Sequence, residues 1–205
     1  MLQRSNEWYN ARLGRFTASE ADRLLGSLGN KVTIQKIESF AIEKASEMYF
    51  GINEEDSYIS KDMERGIILE PLAFKKFKSE KQLDFIDVVE CGFFKYGKHA
   101  GASPDALCSN HFNTEFKAPT LKTFNQFIKT KEINPKYYAQ MQFQMLCNGA
   151  IGCYFYNYVL HKGNEYSFEL VVERDEPMIE LFKERILYAA EIKEQHYLNL
   201  VNLFG

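Results

Sequence analysis

The chain has 205 residues with a formal net charge of −3, a pI near 5.9 and an apolar fraction of 45% that includes 17 Phe and 12 Tyr. That length accommodates one well-buried core, and a single domain over residues 1–205 is expected. No run approaches the roughly 20 apolar residues that cross a bilayer, and the first residues lack the apolar stretch of a signal peptide, so a cytoplasmic protein is expected with no membrane partner. Cys91, Cys108, Cys147 and Cys153 have no C-x-x-C spacing and read as reduced, buried small hydrophobes. The four histidines are equally scattered, and His99 and His111 are left out of any site. The mild acidity argues against a general nucleic-acid binder, although acids gathered around metal ions would make total charge a poor guide to the local field.

The first segment carries Trp8, Arg12 and the run Thr17-Ala18-Ser19-Glu20. Thr17 with Glu20 three residues on fits a capping box and predicts a helix from Ala18, which puts Ser19 in a first turn whose free N–H groups favour an anion. Arg12 and Arg15, just upstream, could add bidentate donors for a phosphate. The same residues also fit an ordinary cap beside surface charges. A second helix is predicted over 33–50, with Ile34, Ile37, Ala41, Ala45 and Met48 at helical spacing, followed by an acidic loop over 51–57.

The next helical pattern, 61–78, sets Glu70 on a face with Gly66, Ile67, Ala73, Phe74 and Phe77. An acid there needs a partner, a metal ion or an escape to solvent. Pro71 removes an N–H and crowds the Ile67 carbonyl, so a kink or break is expected beside Glu70. Residues 85–118 read as short apolar and β-branched runs separated by turns, an antiparallel meander of about three strands. Within it, Asp105 stands ten residues before Glu115-Phe116-Lys117. Alternate residues of a strand share a face, so Glu115 and Lys117 point together while Phe116 points away. If Asp105 lies alongside, two carboxylates and an ammonium converge. Hard divalent ions prefer such oxygen ligands, and a lysine beside them can hold the attacking water. A simple charge pair on a solvated strand fits the same triplet.

Lys122, Lys129, Lys131 and Lys136, interleaved with Phe124 and Phe127, form the best candidate for a surface that tracks a phosphate backbone. A helix over 137–148 carries three glutamines. Gln142 falls inside its apolar arc while Gln140 and Gln144 fall outside, which predicts that Gln142 orients a site group or is tied to a core carbonyl. Strands over 151–160 and 166–172 form a hairpin added to the same sheet, and a helix over 176–200 closes the chain.

Five ordered blocks now stand on one chain: Trp8 with Arg12-Leu-Gly and Thr17-Ala-Ser19; Glu70; Ser103-Pro104-Asp105; Glu115-Phe-Lys117; and Ala139-Gln-Met-Gln142. Over nearly its full length the chain resembles the YqaJ-like viral recombinases, the family of lambda exonuclease, within the PD-(D/E)xK nuclease superfamily. The resemblance implies an α/β fold: a central mixed, largely antiparallel β-sheet flanked by α-helices in a restriction-endonuclease-like core. It implies a 5′-to-3′ exodeoxyribonuclease that digests one strand of linear duplex DNA to 5′-mononucleotides and leaves a 3′ overhang for a single-strand annealing protein.

Carried over residue by residue, Asp105 and Glu115 look like Mg²⁺ ligands with the Phe116 backbone carbonyl, with Mn²⁺ as the expected substitute. Glu70 looks like a further acidic ligand, and Lys117 like the holder of the nucleophilic water. Arg12 and Ser19 match 5′-phosphate-binding positions, and Gln142 an active-site glutamine. A homotrimer around DNA, encoded by a phage or prophage and acting in a bacterial cytoplasm, is implied by analogy. A PD-(D/E)xK endonuclease and a non-catalytic DNA-end-binding subunit are the alternatives.

Overall fold

The computed structural model describes residues 3–26, 31–52 and 60–205; most of the acidic loop expected over 51–57 lies outside them. In chain order the elements are α1 (Asn6–Arg12), β1 (Phe16–Thr17), a 3-10 helix (Ala18–Leu24), α2 (Lys31–Phe50), α3 (Lys61–Leu83), β2 (Val88–Glu90), β3 (Phe94–Tyr96), β4 (Ala100–Ala102), β5 (Ala106–Cys108), β6 (Phe112–Lys117), α4 (Leu121–Thr130), α5 (Pro135–Asn148), β7 (Gly152–His161), β8 (Asn164–Glu173) and α6 (Glu176–Phe204). Five strands form one sheet in the order β2-β5-β6-β7-β8, and three form a second in the order β1-β4-β3. In the larger sheet only β6 and β7 run parallel, joined by a crossover through α4 and α5. The fold is therefore α/β with mixed, largely antiparallel sheets and flanking helices.

The strands expected as one meander divide between the two sheets. Ser103 and Pro104 separate β4 from β5, and Pro104 has no N–H to carry a ladder onward. Upstream of that break, β4 is Ala-Gly-Ala, fully buried. A Cβ on Gly101 would stand 2.2 Å from the Phe93 ring, so the ring closes over the strand only because the side chain is absent. Beyond it, β5 pairs with β2 and β6.

β7 shows why its sequence reads as a nearly continuous apolar run. Tyr154, Tyr156 and Tyr158 pack with Phe77 and Phe116 beneath α3, while Cys153 and Phe155 pack with Phe127, Met141 and Met145 beneath α4 and α5. Both faces are covered, as parallel neighbours with a helical crossover require. Each such buried ring contributes about 2–3 kcal/mol. A further cluster joins α2, the 3-10 helix, β4, α5 and α6 around Phe16, Phe40, Phe143 and Phe182.

Two local expectations are corrected. α3 runs unbroken through Pro71 to Leu83. Ile67, whose carbonyl loses its donor, is 41% exposed, so water can replace the missing N–H. The segment after Thr17 is a 3-10 helix, and Thr17 makes no side-chain cap; its hydroxyl instead donates to Glu20 Oε2 at 2.8 Å.

Candidate active site

Strand alternation on β6 places the first two groups. Phe116 points into the rings of Phe74, Phe77 and Tyr156, and Glu115 and Lys117 project from the opposite face toward α5. Asp105, one residue before β5, extends the antiparallel ladder: its N–H donates to the Thr114 carbonyl at 3.0 Å, and its Oδ2 accepts the Phe116 N–H at 2.6 Å. The acids that stood ten residues apart are thus on neighbouring strands. Glu115 is 2% exposed and ion-pairs with Lys117. Its Oε1 also accepts from Gln140 Nε2 at 2.8 Å, and its Oε2 from Gln144 Nε2 at 2.6 Å. Lys117 Nζ lies 4.4 Å from the Tyr137 ring centroid, so one wall of the ammonium is aromatic.

Glu70 reaches the same place from α3. It shares a cleft of about 520 Å³ with Asp105, Phe74, Cys91, Gln3 and Arg4, and its carboxylate pairs with Arg4. The Gln3 amide anchors the segment leading to Arg4 by donating to the Pro104 carbonyl at 2.7 Å.

A second group sits on the α1 side. Arg12 stacks 4.2 Å from the Trp8 ring centroid, and its Nη2 lies 3.4 Å from Ser19 Oγ. Trp8 Nε1 donates to Ser103 Oγ at 2.7 Å, two residues before Asp105, and so ties this group to the loop that carries the acid. Arg15 turns away to the carbonyls of Gly97 and Lys98. Lys122, Lys129, Lys131 and Lys136 are all exposed on and around α4 and the start of α5.

Residues 7–151 match the YqaJ-like viral recombinase domain. The chain belongs to that family. The alkaline exonuclease LHK-Exo of Laribacter hongkongensis is 29% identical to it, with a TM-score of 0.79 over 97% of this chain and 98% of that one. LHK-Exo in complex with dAMP gives 26% identity, the same coverage and the same TM-score. A phage-related exonuclease from Haemophilus somnus 129PT, 15% identical with a TM-score of 0.66 over 96% of this chain and 99% of that one, shares the fold. No curated protein sequence matches the chain.

In this YqaJ-like domain the structure brings together Asp105, Glu115, Lys117 and Glu70, and separately Arg12 and Ser19. It does not bring Gln142 to the acids. The Gln142 amide donates to the Glu173 carbonyl at 2.7 Å and accepts the Asp175 N–H at 2.9 Å, tying α5 to the end of β8. At 100° per residue Gln142 points about 160° away from Gln140, while Gln140 and Gln144 lie about 40° apart on one face. α5 is buried on almost every side, with Ala139 and all of Met141, Gln142, Phe143, Gln144, Met145 and Leu146 inside, so an apolar arc could not identify its site-facing side. The legible signal was the i, i+4 pair of glutamines, both able to face one carboxylate.

Electrostatics set Asp105 apart. Burial pushes its pKa well above the ordinary carboxylate range, and the charges of Glu115 and Glu70 push it further; Lys117 and the Phe116 N–H offset only part. Burial works against the ammonium of Lys117, but Glu115 and Asp105 outweigh it and raise its pKa. Among the described residues no three His, Cys, Asp or Glu side chains lie close enough together to hold a metal ion by themselves. Asp105 and Glu115 nonetheless fit a hard cation such as Mg²⁺, which keeps several waters and commonly takes one or two carboxylates plus substrate phosphates. A desolvated acid beside like charges is what such a cation relieves.

Proposed function

We propose that this domain is a Mg²⁺-dependent 5′-to-3′ exodeoxyribonuclease that removes 5′-mononucleotides from one strand of linear duplex DNA and leaves a 3′ overhang for a single-strand annealing partner. The observation that carries this reading is Asp105, half-buried beside Glu115 and Lys117 at the cleft that Glu70 lines. The similarity to an alkaline exonuclease also solved with dAMP supports a mononucleotide product.

In this reading Asp105, Glu115 and the Phe116 carbonyl, with Glu70 as a further acidic group, would hold the divalent cation, which would supply charge neutralisation at the phosphate and a more acidic water. Lys117, kept protonated by its two acids, donates to the attacking water and offsets negative charge on the nonbridging oxygens. Gln140 and Gln144 fix both oxygens of Glu115, so the carboxylate cannot swing. Arg12 and Ser19 take the 5′-phosphate, which sets the register of the strand and favours an end over an interior site. A homotrimer encircling the duplex goes with this reading and is checked by light scattering.

The decisive experiment is digestion of linear duplex DNA with and without a 5′-phosphate, in Mg²⁺ or EDTA, beside covalently closed circular DNA. Mononucleotide release from linear duplex in Mg²⁺ alone is expected, faster from the phosphorylated end. Cleavage of the closed circle, or release that survives EDTA, overturns the reading.

A further inference from the structure

Behind Arg12 and Ser19 lies a set of buried charges that the chemistry above does not use. Lys44 on α2 is 2% exposed, with its Nζ 2.6 Å from Glu47 Oε1 and 3.0 Å from Glu20 Oε1. The other Glu47 oxygen accepts the Gly14 N–H at 3.1 Å, and Lys193 of α6 donates to the Gly14 carbonyl at 2.7 Å. Gly14 has φ +65°, and a Cβ there would stand 2.8 Å from Met48 Cβ, so this turn rests directly on α2. Glu20 accepts the Thr17 hydroxyl at 2.8 Å, and that hydroxyl lies 3.2 Å from Ser19 Oγ. Arg23 also pairs with Glu20, 3.4 Å away, and with Glu43, 2.7 Å away.

Stability alone does not call for such a network, since well-packed apolar side chains of similar volume often do as well or better than buried ion pairs. Its placement is the informative part. One arm of Lys44 ends at Gly14, two residues after Arg12; the other ends at Glu20, one residue after Ser19, and continues through Thr17 to the Ser19 hydroxyl. Burial works against the charge on Lys44, but Glu20 and Glu47 outweigh it and raise its pKa; burial also raises the pKa of Glu47, with Lys44 and the Gly14 N–H offsetting only part.

We propose that Lys44 is a positioning residue that, through Glu47–Gly14 and Glu20–Thr17, holds Arg12 and Ser19 at the separation one terminal phosphate requires. Lys44 touches no substrate itself. The inference rests on the reading of Arg12 and Ser19 as the 5′-phosphate site.

Two variants test it, Lys44→Met and Thr17→Val, the second removing only the hydroxyl between Glu20 and Ser19. The readouts are the ratio of affinities for 5′-phosphorylated and 5′-hydroxyl duplex ends, measured in EDTA, and the same ratio in KM during digestion. Lys44→Met is expected to shrink both ratios about tenfold, the size of a lost hydrogen bond to a charged group, and Thr17→Val to shrink them by a smaller factor. Affinity for the hydroxyl end and kcat are expected to hold. A merely structural role would lower the active fraction on both ends alike and leave the ratios intact. Folded Lys44→Met with wild-type ratios overturns the proposal; if that variant does not fold, unchanged ratios in Thr17→Val do so. If the unmodified protein shows no preference and Arg12→Ala changes neither substrate, the phosphate-site reading fails and the proposal with it. Loss of preference in Arg12→Ala but not in the folded Lys44 and Thr17 variants defeats the positioning inference alone.

Discussion

The domain gathers two clusters of acids, and they are solved differently. Around Lys44 each carboxylate has a cation: Glu20 has Lys44 and Arg23, Glu43 has Arg23, and Glu47 has Lys44 with the Gly14 N–H besides. Around β6, Lys117 pairs directly with Glu115 and Arg4 with Glu70, while Asp105 has a backbone N–H and only the more distant charge of Lys117, which do not outweigh its burial and the like charges of Glu115 and Glu70. A compensated cluster holds a shape; an acid only partly compensated at a cleft is, on the proposed function, the place for a cation from outside.

The largest expected effect comes from removing the ammonium at the second cluster. Lys117→Ala is expected to lower the cleavage rate by about 10²- to 10⁴-fold while duplex binding changes little, measured by single-turnover digestion beside gel-shift titration. Full activity in that variant would remove the distinction between the clusters.

Next in size is a pH effect at the first cluster. Burial, with Arg15 and Lys98 nearby, lowers the pKa of Lys193 to about 8 from the ordinary 10.5. A depressed folded pKa means that the unfolded chain binds more protons across this window, so stability rises as pH climbs from about 8 toward 10.5 and is lost as pH falls back through 8. The span is worth on the order of 3 kcal/mol. Urea midpoints at the two ends of the window should show this rise in the unmodified protein and not in Lys193→Met.

The glutamines of α5 sharpen the contrast further. Gln144→Leu leaves one oxygen of Glu115 unpartnered and is expected to cost about 10- to 100-fold in kcat. Gln142→Leu should instead cost about 1–3 kcal/mol of stability with kcat per folded molecule unchanged, because its amide ties Glu173 to Asp175. Equal loss of kcat in both would restore Gln142 to the site.

The smallest effect is the most direct comparison. In EDTA, Asp105→Asn removes an acid whose charged form is disfavoured by desolvation and by Glu115 and Glu70, and is expected to leave stability level or raise it by up to about 1 kcal/mol, whereas Mg²⁺ should raise the melting temperature of the unmodified protein and not of the variant. A destabilised variant in EDTA would mean that Asp105 is structurally paired.

Much of this molecule was legible without coordinates. Period-two alternation alone put Glu115 and Lys117 on one face of β6 and Phe116 on the other, and Asp105 came to lie beside them because a short turn can only return an antiparallel neighbour. Helical spacing found α2, α3 and α6, with boundaries shifted where packing extended them, as at Leu83 beyond residue 78. What was not legible depended on which faces other elements cover. Pattern cannot rank the sides of a helix buried on almost every side, so the apolar arc points to Gln142 where Gln140 and Gln144 stand. A capping box read locally missed that Glu20 is claimed by Lys44, twenty-four residues away, which leaves the Thr17 hydroxyl to bond the carboxylate instead of capping the helix. Local chemistry and periodicity determined the strand that carries the acids; only tertiary packing decided which distant partners surround them, because desolvation and ion pairing depend on neighbours that sequence distance does not encode.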